Sequence, residues 1–336
     1  MRIVPVPELQ EGDRLCQNVF TTDGRLVLAK GMVLTAALIK GLLKMRIDQV
    51  YIDNSRDHNA ELIDAGGKML RHHALQVIRS VFRDVAGNGT VPSKPVLEMT
   101  NELSRRLSAA DESIIQIKEN RSNANYLLAH SVNVCMLAVM TAKALGYNEQ
   151  HIRTVAIGSL LHDIGYVVPN ITSPSSEHPI AGFEIIRKHA DLPLLAAHIV
   201  LQHHEQVNGA GFPHGVSGDA LRQSAQICSI ANDFDHFVNE IGTNRLPHEG
   251  IEYVMSKVDS SYDYSIVRAF VQVVMPYPVG TIVSLSDSRI GRVIQVHKGS
   301  PSRPVLEIIG GGEHVDLLKH TTIVIRSVVL ENQQSG

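Results

Sequence analysis

The chain has 336 residues, long enough for two or three folding units. Its 44% hydrophobic and 19% charged content excludes a disordered, collagen-like or coiled-coil protein. A net charge of −3 excludes the broad basic field that nucleic-acid polymers or acidic membranes require, so an anionic ligand must be held by a local site.

Residues 1–58 read as a small α+β regulatory unit. Alternating apolar runs in LCQNVFTTDGRLVLAKGMVL flank a turn at Asp23-Gly24, helical spacing covers 35–47, and 49–52 is a short strand. The opening MRIVPVPELQEGDRL lacks the charged head and apolar core of a leader, and no apolar run nears a membrane span. Cys16, Cys135 and Cys228 are odd in number and widely spaced, which suits free thiols; a cytoplasmic protein is the expectation. Residues 59–95 read as a helical linker broken at GNGTVPSKP. From 96 to 275 nearly every segment has helical character, with breakers at 164–182, 206–219 and 240–247. Pro276 and Pro278 then open a stretch, 276–336, whose period-2 runs GTIVSLSD, IGRVIQVH, PVLEIIG and TTIVIRSVV predict a small β module of four or five strands with a frayed NQQSG end. The expected fold class is mainly α: a helical bundle with a small N-terminal α+β unit and a small C-terminal β module.

Histidine is the compositional outlier at 17 residues. Chemistry concentrates in AHSVNV (129–134), HDIGYVVP (162–169), EHPIAG (177–182), QHHEQVNGAGFPHG (202–215) and IANDFDHF (230–237). Each sets an imidazole or a short oxygen side chain among apolar helical residues, where it needs a partner. His162-Asp163 and His203-His204 are adjacent pairs, and adjacent helical residues diverge by about 100°, which lets Asp163 bridge two ions while His162 binds one. With His130 and His178 the set offers five imidazoles and a carboxylate, enough for two octahedral first-row ions with open water positions. His72, His73, His151, His189 and His198 read as hydrogen-bonded structural residues and receive no role.

Taken in order, HSVNV, HDIGY, HPIAG, HHEQVNGAGFP and ANDFD resemble the successive motifs of the HD-GYP domain, a branch of the HD phosphohydrolase superfamily, over roughly residues 96–275. The resemblance implies a helical HD-type metal-binding domain that hydrolyses cyclic di-GMP, or a related cyclic dinucleotide, to pGpG or GMP with two divalent ions, iron or manganese. The donor types alone leave iron, manganese, nickel and zinc open. Carried over by position, it implies His130, His162, Asp163, His178, His203, His204 and Asn232 as metal ligands, with Asp163 also the catalytic, bridging carboxylate. Tyr166, Gly209, Gly211, Phe212, Asp235 and Arg245 fall where substrate contacts are expected.

Four positions depart from the family pattern. Tyr166 replaces the lysine after HDIG, and Phe212 replaces the tyrosine of GYP. Tyr126 stands where some members carry a glutamate for a third metal, which leaves two metals expected. Asn232 replaces the last metal-binding aspartate, and only Arg245 remains of the arginine-rich stretch that follows. A degenerate domain acting as a cyclic dinucleotide receptor or a protein-interaction adaptor in bacterial signalling is therefore the competing expectation, and a phosphohydrolase for another nucleotide a third. Homodimerisation through the N-terminal unit is left open; neither a nucleic-acid polymer nor a membrane is expected as a partner.

Overall fold

The computed structural model describes residues 2–16, 18–20, 26–29, 31–45, 47, 49–52, 61–109, 126–172, 175–297 and 299–329. The Asp23-Gly24 turn and the NQQSG end lie outside them. The chain divides into two compact units, residues 1–69 with 334–336, and residues 70–333.

In the first unit β1 (Arg2–Pro5) pairs antiparallel with β4 (Gln49–Ile52), and β2 (Val19–Phe20) pairs with β3 (Leu26–Leu28). Helix α1 (Ala36–Lys44) starts at Thr35, whose Oγ1 accepts from the Leu38 N–H, relieving one of the unpaired first-turn donors. Residues two apart on a strand share a face, which is why Val50 and Ile52 both enter a core with Val4, Leu15, Leu34 and Leu42.

The second unit is built from α2 (Glu61–Asn88), α3 (Ser93–Ala109), α4 (Tyr126–Ala144), α5 (Glu149–Leu160), α6 (His178–Ile186), α7 (Leu194–Gln202), α8 (Gln223–Asn239), α9 (Pro247–Met255) and α10 (Tyr264–Val273). The stretch expected as a linker packs instead: Ala74, Ile78 and Val81 of α2 are fully buried in the same core as α3 to α10. Gly89 turns the chain between α2 and α3 at φ +71°, a conformation that suits glycine.

Helix α4 is apolar all round and sits at the centre, packed on α3, α5, α8 and α10, with every residue from Ala129 to Ala142 buried. It is long and apolar enough to cross a membrane by length and composition, longer than the sequence reading allowed, and 78% of its most apolar stretch is buried in the fold. That stretch includes His130 and Asn133, polar groups placed in the core.

Two glycines let neighbouring helices touch. A Cβ on Gly158 would lie 2.7 Å from Ile199 Cβ, and one on Gly182 would lie 2.6 Å from Val200 Cγ1, so α5 and α6 both close on α7. The C-terminal part of this unit is an antiparallel sheet of β5 (Ile282–Leu285), β6 (Ile290–Gln295), β7 (Val305–Ile308), β8 (His314–Asp316) and β9 (Ile325–Val328), in the order β8-β7-β6-β5-β9. Its alternating strands bury Val283, Val293, Leu306 and Val315 together with Leu246 and Tyr277, which precede the sheet.

Candidate metal centre

Loop and helix ends deliver most of the polar cluster. His162 and Asp163 follow Leu161, the C-cap of α5, at the turn into a 3-10 segment (Ile164–Val167), and lie outside the helix in which the sequence placed them. Gly165 is what brings α6 down onto that turn: a Cβ there would lie 2.0 Å from the His178 backbone oxygen. His178 opens α6, and His203 is the C-cap of α7 with His204 directly after it. Of the residues expected as ligands, only His130 on α4 and Asn232 on α8 come from helix interiors.

Asp163 lies at the centre and divides the cluster in two. Its Oδ2 is 3.3 Å from His162 Nε2 and 3.7 Å from His130 Nε2. Its Oδ1 is 3.3 Å from His178 Nε2 and 3.8 Å from His203 Nε2. Within each half the two Nε2 atoms face each other, His130 to His162 at 3.2 Å and His178 to His203 at 3.1 Å.

The opposite ring nitrogens set the tautomers. The Nδ1 of His162 donates to the Ser159 carbonyl, that of His178 to the Ser175 carbonyl and that of His203 to the Val200 carbonyl, while His130 Nδ1 donates to Asp235. A carbonyl can only accept, so in the neutral rings every Nε2 carries a bare lone pair. Four lone pairs and two carboxylate oxygens thus converge with no proton between them, an arrangement that repels itself unless a cation intervenes. His130, His162, Asp163, His178 and His203 are all buried, and the amide nitrogen of Asn232 is buried without a hydrogen-bond partner. The donor set, imidazole nitrogens with a shared carboxylate and outward N–H groups anchored behind, fits divalent first-row ions.

Electrostatics agree. Burial disfavours the Asp163 anion, but with positive charge on the rings His162, by charge and hydrogen bond, and then His178 and His130 outweigh it and hold the carboxyl well below its usual range, so the anion persists when a cation, proton or metal, sits among them. Burial also works against protonating His162, and Asp163 outweighs it, so the field that would favour a second proton there favours a metal ion equally. Burial, then the neighbouring imidazoles, keep His203 well below its ordinary value and lower His204 to about 3, so both stay neutral and able to ligate.

His204 packs beside the Oδ1 half, its ring 4.1 Å from that of His203 and 5.1 Å from that of His178. His178, His203 and His204 form one group able to hold an ion, and His162, Asp163 and His203 another. Phe212 stacks on His204 at 4.5 Å and Tyr166 stacks on His178 at 4.2 Å. These two rings and His204 are half-buried, so the cluster meets solvent past them.

Gly209 and Gly211 shape the loop beneath: Gly209 adopts φ +76°, and a Cβ on Gly211 would lie 2.5 Å from the backbone of residues 204–206. Glu205, buried, clamps the same loop by accepting from the His214 and Val216 N–H groups at 2.8 and 3.1 Å. Asn232 Oδ1 lies 2.9 Å from His130 Nε2, in the Oδ2 half. Asp233 points away, taking hydrogen bonds from Lys257 and Tyr262.

Two expected substrate contacts lie elsewhere. Asp235 is buried behind His130, where it accepts from His130 Nδ1 at 2.7 Å and from the amides of Asn133 and Asn239 at 3.0 Å each. Its position one turn from Asn232 on a buried helix face turns it into the core, so it orients a histidine. Arg245 pairs with Glu240 at 3.1 Å and covers the Phe237 ring at 4.3 Å, because the loop that carries it folds back on the end of α8.

His189 and His151, assigned no role, have structural ones: His189 Nε2 accepts from the Val91 N–H, and His151 stands on the Asn148 cap of α5. One ring escaped the sequence reading. His236 lies 4.1 Å from His130, ring centre to ring centre, and hydrogen-bonds the Tyr126 hydroxyl at 2.7 Å through Nδ1. Its i+4 spacing from Asn232 was the available signal.

Residues 127–236 match the family model described as HD domain, and residues 282–335 match that described as KOW domain associated with HD domain. The chain is 26% identical to a cyclic di-GMP phosphodiesterase of Pseudomonas aeruginosa over 71% of its own length and 63% of the relative's. It is 22% identical to the cyclic di-GMP phosphodiesterase PdeB of Borreliella burgdorferi over 60% of its length and 57% of the relative's. The chain thus spans about 60% of the length of these curated relatives. A solved structure described as a HDG"Y"P protein from Bdellovibrio bacteriovorus superposes with a TM-score of 0.50 at 18% identity, covering 80% of this chain and 97% of that one, which is a likeness of fold.

Proposed function

For a chain that belongs to the HD-GYP family, with divergent motifs, we propose the function of a metal-dependent phosphodiesterase that opens cyclic di-GMP to pGpG or GMP. The observation that carries this reading is the convergence of four Nε2 lone pairs on the two oxygens of one buried carboxylate, Asp163. His130, His162 and Asn232 on one side, and His178, His203 and His204 on the other, would hold two divalent ions bridged by Asp163, iron or manganese being the assignment. When bound, such a pair supplies Lewis acidity: it acidifies water and offsets charge developing on a phosphoryl group.

The remaining residues set the conditions for that chemistry. Carbonyls at Ser159, Ser175 and Val200 and the carboxylate of Asp235 keep the imidazoles in the ligating tautomer. Tyr166 and Phe212 flank the accessible side of the cluster, where they can meet a planar base, and Tyr166 can donate one hydrogen bond to a phosphate oxygen. Gly209 and Gly211 let the backbone of the loop come close to the site.

A second reading is favoured by specific residues. Asn232 supplies no anion, Tyr166 no cation, and Arg245 is engaged by Glu240, so the nucleotide could be bound without being cut, in a receptor or adaptor. The separating experiment is turnover of cyclic di-GMP by protein loaded with Mn²⁺ or Fe²⁺, with products resolved by chromatography, alongside Asp163→Ala. Hydrolysis lost in the variant supports the enzyme. Metal-replete protein that binds cyclic di-GMP and leaves it intact makes the receptor reading the correct one.

A further inference from the structure

The Oδ2 half is the weaker of the two, since it has His130 and His162 but only a neutral amide, Asn232, as its third donor. Asp233 cannot repair this, because its carboxylate is turned to Lys257 and Tyr262. One turn along α8 from Asn232, on the same face of the helix, stands His236. A ring nitrogen of His236 and ligand atoms of His130 and Asp163 all lie within 4.8 Å of one another.

We propose that His236 is a metal ligand of this centre, standing in for the donor that Asn232 replaced; the inference rests on the two-metal reading above. The Tyr126 hydroxyl, 2.7 Å from His236 Nδ1, plays the anchoring part that backbone carbonyls play for His162, His178 and His203. With the Nδ1 proton given to Tyr126, the Nε2 lone pair is free to ligate. Tyr126 and His236 thus act as a pair: the tyrosine, on the first turn of α4, supports from behind a histidine that α8 brings forward. His236 would thus add a neutral donor beside Asn232 and leave the negative charge of the half-site unchanged.

The test is Mn²⁺ binding to the full chain, followed by calorimetry and by the electron-spin signal of free Mn²⁺, for the native protein, His236→Ala, and His236→Ala combined with Asn232→Asp. The native protein is expected to take two ions. His236→Ala should weaken one of them at least tenfold and leave the other within about twofold, and Asn232→Asp should recover most of the loss. Thermal melting of the metal-free variants checks that they stay folded, so that a selective loss of one ion with the other retained reads as a lost ligand. Two ions bound by His236→Ala with native affinity would overturn the proposal, as would equal weakening of both ions. Fewer than two ions on the native protein would overturn the two-metal reading itself, and this inference with it.

Discussion

Replacing Asp235 with asparagine keeps the shape of the side chain and exchanges one acceptor for a donor. Asp235 Oδ2 accepts from His130 Nδ1 at 2.7 Å, and Oδ1 accepts from Asn133 Nδ2 and Asn239 Nδ2 at 3.0 Å each. Asn133 cannot reverse its amide, because its Oδ1 accepts from Arg71 Nη2 at 3.0 Å and Nε at 3.3 Å. The new amide can turn its oxygen to the two asparagines and its NH₂ to His130, which satisfies these three partners. His130 must then accept at Nδ1 and carry its proton on Nε2, the atom that faces Asp163. The opposite orientation keeps the ligating tautomer but sets the new NH₂ against two amide donors. Leaving those two buried groups unpaired costs about 1–3 kcal/mol each, so about 2–6 kcal/mol together. Metal binding has to overcome that cost or proceed without His130. Since a tenfold change is about 1.4 kcal/mol, the lower end of that cost is about 30-fold, and a larger cost is avoided by binding without His130, so Asp235→Asn should weaken Mn²⁺ binding about 30- to 100-fold, the upper part of the range seen for second-sphere losses. The chelator-treated variant should melt close to the native protein. Calorimetric Mn²⁺ titration and nitrogen chemical shifts of the imidazoles measure the two effects. Native affinity in the variant, or a large fall in melting temperature with affinity intact, would refute the reasoning.

Gly165→Ala places a Cβ 2.0 Å from the His178 carbonyl oxygen, a backbone clash no rotamer relieves. A loss of about 3 kcal/mol or more, the upper end of overpacking costs, is expected in denaturant titration, with loss of bound metal; an unchanged midpoint would sink that account of the α6 entry. Acid should destabilise the metal-free protein before any carboxylate titrates. His204 and His236 are lowered to about 3, and His203 well below its ordinary value, each chiefly by burial. Unfolded histidines take protons near pH 6.5 while the folded ones do not, so the unfolded state binds more protons and stability falls as pH drops from 6.5 toward 3. Melting temperatures of chelated protein at pH 7 and pH 5 check this; a flat or rising profile contradicts it.

Much of the centre is written in local sequence. His162-Asp163, His203-His204, the glycine-rich turns and the order of the five fragments are visible because ligand types and chain breakers are properties of neighbouring residues, and helical or period-2 spacing reports which segments are helix or strand. Those signals pointed to a mainly helical chain closed by a small β module. Contacts across about 100 residues carry no such mark. His130 meets Asp235 and Asn232 over separations of 105 and 102 residues, so whether Asp235 touches a ligand or steadies a histidine depends on how α4 packs on α8. The same packing brings Tyr126 to His236, and the fold of the chain after α9 keeps Arg245 on Glu240 and Phe237. Which ring nitrogen faces the centre was likewise settled by carbonyls three residues before His162, His178 and His203, where helix ends and turns dispose the backbone. Residue type sets which atoms can bind a metal; only tertiary packing, by excluding water and fixing each outward N–H on an acceptor, decides which of them point at one another.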